Sequence, residues 1–220
     1  MSRLLIKTAA RKISCILLFC LLFSSCAFSA EDEKSVNPFS GSGVSSELTA
    51  EFREFLSFKS KEKNTVREDI AEGFKYSLHG GCLRFINESG EEVWRSGESW
   101  YVDDFRLGDV DGDGVSDCLF SLWKSYSYAE SYRERMKDDP SVKNHLFLYT
   151  IRSETAKALW CSSNLPRPIY SFELDQNGQK TPVSSGMLLK TKEGEYRDDF
   201  SKSEESDFEY KWQGWGFVEE

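Results

Sequence analysis

The segment from residue 107 to residue 117 reads LGDVDGDGVSD and constrains the fold more than any other part of the chain. Four carboxylates alternate with other residues along it: Asp109, Asp111, Asp113 and Asp117. This spacing can wrap oxygen atoms around one hard cation, and Val115 can add its backbone carbonyl. Gly112 and Gly114 supply the backbone freedom that such a tight turn requires. The segment predicts a calcium loop, and an acidic surface turn is the alternative because Asp-Gly pairs are common in turns.

Both flanks of this loop have the composition of β-strands. Residues 100–107 lead into it, and the apolar residues 118–123 follow it. EF-hands and dockerins begin with a similar pattern, but they need an acidic residue at the twelfth position, which is Phe120 here. An EF-hand also needs flanking helices, so the sequence predicts a strand, a loop and a strand. A dockerin remains a minor alternative because residues 119–123 can also be interpreted as helical.

Short apolar segments separated by turn residues continue to the end of the chain. They predict a mainly β domain over residues 73–220, with propeller-like or meandering antiparallel sheets. The expected strands are residues 76–78, 82–86, 92–94, 145–151, 158–161, 170–174, 187–189 and 208–218. Residues 124–144 are rich in Tyr, Ser and charge, and they predict an insertion with a helical piece. Segments of this length outside the regular elements often carry function.

A second turn has oxygen-bearing residues at the same alternating places as the first loop. They are Glu173, Asp175, Asn177 and Thr181. Because Asn and Thr replace two carboxylates, a cation here would bind more weakly, and a plain Asn-Gly turn is the alternative. The two loops lie roughly sixty residues apart, a separation that indicates an internal repeat.

The N-terminal residues 1–26 have the pattern of a secretory signal peptide. Four basic residues precede an apolar segment, 13–23, that is too short to span a bilayer with margin. The sequence FSSC ending at Cys26 resembles the lipobox of bacterial lipoproteins, although Phe23 replaces the usual Leu. We therefore expect a lipid-anchored protein facing the periplasm or the cell surface. Cleavage after Ala27 or Ser29 is the alternative and would give a secreted protein.

Residues 27–46 are rich in Ser, Gly and charge, which predicts a flexible tether. Residues 47–72 are predicted to be a helical segment, with one amphipathic helix of about three turns that ends in the polar residues 59–64 and a helical or irregular piece after it. Leu48, Phe52, Phe55 and Leu56 recur at helical spacing, and Ser46 can cap the helix. We expect the apolar side of this helix to pack on the domain that follows.

The charge of the chain argues against nucleic acid as a partner. The 220 residues include 28 Lys and Arg against 37 Asp and Glu, which gives a net charge of −9. Removal of the leader would take away four basic residues and make the net charge more negative. Such a surface repels phosphates and favours cations. Beyond the leader and Cys26, the cysteines are Cys82, Cys118 and Cys161, and their spacing leaves any disulfide pairing open.

Sequence motifs for catalysis are absent. The only histidines, His79 and His145, belong to no metal or nucleophile motif, and we assign no catalytic residue. Adjacent acids such as Asp103 and Asp104 point to opposite faces of a strand, which does not suit paired-carboxylate chemistry. A secreted calcium-dependent hydrolase acting on carbohydrate or peptide is the alternative. It would need a cleft that joins Glu92 or Asp104 to an acid in residues 124–144.

The strand 100–107, the loop from Asp109 to Asp117 and the following strand together resemble an FG-GAP or VCBS-type repeat of the integrin α-like β-propellers. The second loop, with Phe172 before it, resembles a degenerate repeat. The resemblance covers two segments of about thirty residues each. It implies structural calcium between two strands of a blade and a surface that recognises proteins or glycans. The expected function is thus an exported, calcium-stabilised binding or scaffold domain of a bacterial cell envelope.

Overall fold

Twelve antiparallel strands in three sheets form most of the computed structural model, which describes residues 48–62, 65–128, 130–175 and 187–220. All of these residues belong to one compact unit. The prediction of a mainly β protein is confirmed. The helices in the described ranges are α1 (Ala50–Lys59) and α2 (Glu130–Met136). Neither is long and apolar enough to cross a membrane.

Each sheet is a meander of four consecutive strands. Sheet A contains β1 (Val66–Ala71), β2 (Phe74–His79), β3 (Cys82–Ile86) and β4 (Glu92–Arg95). Sheet B contains β5 (Tyr101–Gly108), β6 (Asp117–Ser125), β7 (Val142–Arg152) and β8 (Thr155–Cys161). Sheet C contains β9 (Ile169–Asp175), β10 (Leu188–Glu193), β11 (Ser206–Trp212) and β12 (Phe217–Glu219). Every neighbouring pair is antiparallel, so short turns are enough to connect most of the strands.

Sheet B lies between the other two sheets and contributes to a core on each face. Successive side chains of a strand point to opposite faces, so Leu119 and Phe120 enter different cores. The core shared with sheet A includes Tyr76, Phe85, Phe105, Phe120 and Phe147. The core shared with sheet C includes Leu119, Leu148, Phe172, Leu189 and Trp212. Burial on both faces explains the nearly continuous apolar sequences of β6 and β7.

The outward faces of sheets A and C carry charged pairs instead. On sheet A, Lys75 Nζ lies 2.7 Å from Glu68 Oε1. On sheet C, Lys190 Nζ lies 2.9 Å from Asp175 Oδ2, and Lys192 Nζ lies 3.2 Å from Asp207 Oδ1. These faces therefore have the polar character of sheet surfaces that meet water.

Helix α1 differs from the predicted helical segment in both length and cap. Its end at Lys59 agrees with the polar residues 59–64 that were expected to end the first helix of the segment 47–72, but the rest of that segment is not helical, because Val66–Ala71 forms strand β1. Thr49 is the N-cap, and its hydroxyl accepts a hydrogen bond of 3.1 Å from the Phe52 N–H. The predicted cap, Ser46, lies outside the described residues. Phe55 packs on Trp123 of β6, with 5.1 Å between ring centroids, so the apolar side of α1 packs on the domain as expected.

Two further segments differ from their predicted bounds. The predicted strand 208–218 is two strands, β11 and β12, joined by a hairpin turn. The predicted insertion is shorter than residues 124–144, because β6 extends to Ser125 and β7 begins at Val142; its helical piece is α2. The predicted leader, tether and Cys26 lie outside the described residues.

Candidate metal centre

The predicted calcium loop connects β5 to β6, at one end of sheet B. Gly108, the last residue of β5, pairs with Asp117, the first residue of β6. Val110 is 1% exposed and packs in the core shared with sheet C, so an apolar anchor follows the end of β5. Strands flank the loop on both sides, as the sequence predicts, and the EF-hand alternative lacks its helices.

Three of the four loop aspartates converge. One carboxylate oxygen from each of Asp109, Asp111 and Asp117 lies within 4.8 Å of the other two. Asp117 is completely buried, Asp109 is half-buried and Asp111 is exposed. The site is thus open to solvent on one side and closed by Asp117 on the other.

Asp117 has one oxygen that is satisfied and one that is not. Its Oδ2 accepts hydrogen bonds from the backbone N–H groups of Val110 at 3.0 Å and Asp111 at 3.4 Å. Its buried Oδ1 has no hydrogen-bond partner among the described residues. The Thr150 hydroxyl lies near enough to lower the pKa of Asp117 without forming a regular hydrogen bond. An unsatisfied buried carboxylate oxygen is unusual in a folded protein, and a cation is one partner that would satisfy it.

The other loop carboxylates hold the backbone in a tight turn. Asp109 accepts the N–H groups of Gly112 at 2.8 Å and Gly114 at 2.9 Å, one on each oxygen. Asp113 Oδ1 accepts the Val115 N–H at 2.9 Å, which fixes the backbone at the residue expected to offer its carbonyl. Gly112 and Gly114 have φ values of 81° and 87°, which side chains other than glycine rarely adopt. The loop is therefore held in shape by the same side chains that would bind the ion.

Asp113 lies outside the converging group because it forms an ion pair. Its Oδ2 contacts the guanidinium of Arg152, the last residue of β7. Ser153 and Glu154 follow with positive φ values and form the turn into β8, so this hairpin places Arg152 beside the loop. The sequence gives no signal for this contact, because the two residues are 39 positions apart and only strand pairing brings them together.

The electrostatics of the loop favour a bound cation. Burial and then the nearby charge of Asp111 raise the pKa of Asp117 from its usual 3.8 to about 6. Burial and the charge of Asp109 also raise the pKa of Asp111, although Arg152 opposes the shift. The direction of these shifts indicates that Asp111 and Asp117 ionise less readily in the folded protein than in water. A divalent cation would reverse this effect.

The second predicted loop is only partly described. Glu173 and Asp175 lie on β9, and Asp175 contacts Lys190 on the neighbouring strand. Asn177 and Thr181 lie outside the described residues. The position of this segment is nevertheless informative, because it joins the first two strands of sheet C. The predicted calcium loop joins the first two strands of sheet B.

The acids considered for hydrolysis are engaged in other contacts. Asp103 contacts Lys59 at 3.0 Å and accepts the indole N–H of Trp123, whereas Asp104 contacts Arg106 at 2.6 Å. Glu92 pairs with Arg95, with Nε and Oε1 separated by 2.5 Å. Within the insertion, Asp138 accepts the backbone N–H groups of Ser127 and Tyr128, and Asp139 accepts that of Ser141. These contacts give each acid a structural role.

The described histidine and cysteine side chains also have structural environments. His145 is fully buried, and burial lowers its pKa to about 3, so the ring stays neutral. Cys82, Cys118 and Cys161, whose pairing the sequence leaves open, are free thiols. Burial raises the pKa of Cys161 to about 12 and that of Cys118 well above its usual range, which makes neither a reactive thiolate at neutral pH.

In comparisons with known proteins, no family model, no curated protein and no solved structure matches the chain.

Proposed function

We propose that this chain is an exported, calcium-stabilised, β-propeller-like binding or scaffold module of a bacterial cell envelope. The observation that carries the proposal is the buried Asp117, whose carboxylate converges with those of Asp109 and Asp111 and has one oxygen, Oδ1, without a regular hydrogen bond. An acidic surface turn does not require a buried carboxylate. A bound cation would account for the burial of this carboxylate, because the ion replaces the lost hydration of that group.

The donor set suits calcium. All the converging atoms are oxygens, which hard cations prefer over nitrogen or sulfur. Calcium binds oxygen at about 2.3–2.6 Å, so two of its ligands can lie up to about 5 Å apart. The spread of 4.8 Å falls within this limit. Magnesium binds oxygen at about 2.0–2.1 Å with a stricter octahedral geometry, so it tolerates less variation in the positions of its ligands.

The role of the ion would be structural. Asp117 begins the central strand β6, and Val110 anchors the loop in the core shared with sheet C. A cation at this point would neutralise the repulsion among the carboxylates and fix the corner between β5 and β6. Removing it would therefore destabilise the whole domain, because binding energy for the folded state adds to folding stability.

The propeller-like architecture is supported by the order and pairing of the strands. Three successive four-stranded meanders have the form of propeller blades, and the central one packs against both of the others. The strands β9 and β10, which border the second sequence motif, are the first two of sheet C, as β5 and β6, which border the first motif, are the first two of sheet B. This equivalence supports the FG-GAP-type repeat that the sequence suggests.

Export, lipid attachment at Cys26 and recognition of a protein or glycan are parts of the same proposal. The first two are supported by the leader sequence, and the third by the resemblance to repeats that serve as binding surfaces. The acidic charge of the chain supports partners other than nucleic acid.

Thermal unfolding of the protein with calcium and with a chelator tests the proposal. With a dissociation constant of about 10⁻⁴–10⁻³ M, about 10 mM calcium should raise the melting temperature by several degrees. A variant with Asp109→Asn and Asp111→Asn should lose this increase, and Asp207→Asn on the outer face of sheet C is the matched control. Identical melting of the native protein in both conditions would refute a structural calcium site.

A further inference from the structure

A pocket of about 370 Å³ lies between sheets B and C, away from the calcium loop. Its floor is apolar and consists of Leu146, Ile169 and Leu189, which are all buried. The segment that crosses from β8 to β9 forms one side, with the exposed Ser163 at its edge. This volume falls in the range of small-molecule sites, and the sheets leave it open to solvent.

One wall of the pocket is aromatic and rigid. Trp160 of β8 and Phe217 of β12 are half-buried, and their ring centroids are 5.8 Å apart in an edge-to-face arrangement. Trp212 supports both rings from the core, at 6.1 Å from Trp160 and 5.2 Å from Phe217. A Cβ atom at Gly216 would lie 3.1 Å from Nε1 of Trp160, so glycine permits the close approach of the β11–β12 hairpin. The rings are thus ordered before any ligand arrives.

Another wall is polar and equally ordered. Arg167 Nε donates to the buried Glu193 at 2.8 Å, and Nη2 donates to Tyr210 at 3.4 Å and Glu219 at 3.3 Å. The guanidinium also stacks on the ring of Phe208, with 3.9 Å from Cζ to the centroid. Its Nη1 makes no hydrogen bond to the described part of the chain. The wall therefore offers a fixed donor beside carboxylate and hydroxyl acceptors.

These walls suit an uncharged ligand better than an anion. The two carboxylates of Glu193 and Glu219 exceed the single guanidinium of Arg167 by one negative charge, which repels an anion, and both carboxylates are already paired with that guanidinium. A purely apolar ligand would bury the polar wall without hydrogen bonds, which is unfavourable. The suitable molecule is neutral, carries hydroxyl groups on its edges and has one apolar face for an aromatic ring.

We infer that this pocket is a carbohydrate-binding site, with one sugar ring stacked on the Trp160–Phe217 wall and its hydroxyl groups bonded to Arg167, Glu219 and Tyr210. This inference rests on the proposed function, since it gives the envelope module a glycan as its ligand. It depends on sheets B and C rather than on the calcium loop. The two proposals can therefore fail separately.

Saturation-transfer NMR on the full protein with saturating calcium tests the inference. The probes are cellobiose, chitobiose, lactose and mannobiose, each at about 10 mM, which detects dissociation constants in the millimolar range. We expect saturation of the ring protons of at least one disaccharide. We also expect this signal to fall at least about tenfold in Trp160→Ala, because stacking of a sugar ring on an aromatic ring is a large part of such binding.

Ser163→Trp is a second variant, which fills the pocket and leaves its packed walls in place. It keeps the test valid if Trp160→Ala does not fold. It should abolish the signal while the calcium-induced rise in melting temperature is retained. Tyr132→Ala is the matched control, since Tyr132 is 48% exposed on α2 and does not line the pocket. No saturation of any probe, or a signal that both pocket variants retain, would overturn the sugar site even if the calcium site is confirmed.

Discussion

At the scale of single residues, the stability of the loop depends on how Asp117 is satisfied. Its side chain is completely buried at the start of a central strand, and its Oδ1 lacks a hydrogen bond within the described structure. Such a group is unfavourable in the protein alone and favourable beside a cation. The same residue should therefore destabilise the calcium-free protein and stabilise the calcium-bound one.

Asp117→Asn separates these two effects. The amide oxygen can still accept the N–H groups of Val110 and Asp111, whereas the buried negative charge is removed. Without calcium, the variant should be more stable than the native protein by about 1–2 kcal/mol at pH 7. It should also gain little from calcium. Urea unfolding with and without calcium measures both quantities, and a large destabilisation without calcium would contradict this account.

The calcium effect should depend on pH in a defined direction. The pKa of Asp117 is about 6 in the folded protein and about 3.8 in the unfolded chain. Between these pH values, Asp117 is mainly protonated in the folded state and mainly ionised in the unfolded state. The folded state therefore binds more protons in this window, and the calcium-free protein loses stability as pH rises through it. Calcium needs the ionised carboxylate, so its stabilisation grows over the same window.

The rise in melting temperature caused by calcium should consequently be larger at pH 7 than at pH 5. Acid also destabilises the fold through His145, whose pKa is lowered to about 3, but this contribution is common to both forms and cancels in the difference. Melting curves at the two pH values, each with calcium and with chelator, provide the measurement. An equal or larger rise at pH 5 would show that Asp117 does not bind the ion.

Arg152→Gln tests the ion pair that competes with calcium. The guanidinium contacts Asp113 and adds positive charge beside the site. Its removal should tighten calcium binding by about threefold to tenfold at low salt, because cation repulsion decreases and Asp113 becomes available. Isothermal titration gives the dissociation constants, with Arg53→Gln on the exposed side of α1 as the control. Weaker binding in Arg152→Gln would mean that this pair instead holds the loop in its binding shape.

The sequence predicts which aspartates form this site, but it does not predict the contact of Asp113 with Arg152 or the burial of Asp117. Spacing alone identifies the aspartates of the loop, because alternating acids and glycines are a local pattern. The contact between Asp113 and Arg152 depends on the pairing of β6 with β7, and no local pattern encodes it. Burial of Asp117 is likewise a consequence of packing between sheets. These are the features that distinguish a metal site from an acidic turn.

At the scale of elements, α1 closes one end of sheet B through aromatic packing. Phe52 and Phe55 are buried, and Phe55 meets Trp123, Tyr101 and Phe200 with centroid distances of 5.1, 5.7 and 5.3 Å. Polar contacts position the same helix, since Glu51 accepts the Val142 N–H at 3.1 Å. The helix is therefore part of the folded domain rather than an extension of the predicted tether.

Phe55→Ala should destabilise the protein by about 3–5 kcal/mol, because it removes a fully buried ring. Phe58→Ala on the same helix is the matched control. Phe58 is only half-buried and lies 6.3 Å from Phe200, its one described ring contact, so we expect a cost below about 1.5 kcal/mol. Urea unfolding of both variants supplies the comparison. Equal costs would show that α1 does not pack on sheet B as described.

Element boundaries show where sequence patterns are insufficient. Most predicted strands are present, because apolar segments between turn residues are a reliable local signal. Strand β1 was expected to be part of a helical segment, because its charged sequence lacks an apolar alternation. Its strand conformation depends instead on pairing with β2. In β5, a bulge between Val102 and Asp104 places Val102 and Phe105 in the same core, which simple alternation does not predict.

At the scale of the whole molecule, three sequential meanders explain how this chain buries its aromatic residues. The central sheet B supplies two cores, and the neighbouring sheets A and C each supply one inner face and one charged outer face. The proposed calcium loop stands at one end of the central sheet, between Val110 in the core shared with sheet C and Cys118 in the core shared with sheet A, so a single ion there would adjoin both cores. A structural ion is therefore expected to affect the stability of the domain as a whole.

A crystal structure of the protein grown with calcium tests the central claim most directly. We predict one ion bound by Asp109, Asp111 and Asp117 at about 2.3–2.6 Å, with Oδ1 of Asp117 among the ligands and further oxygens from Asp113, Val115 or water. Anomalous scattering would identify the ion as calcium. A loop without an ion at millimolar calcium, with Asp117 Oδ1 still unpaired, would contradict the calcium-stabilised module.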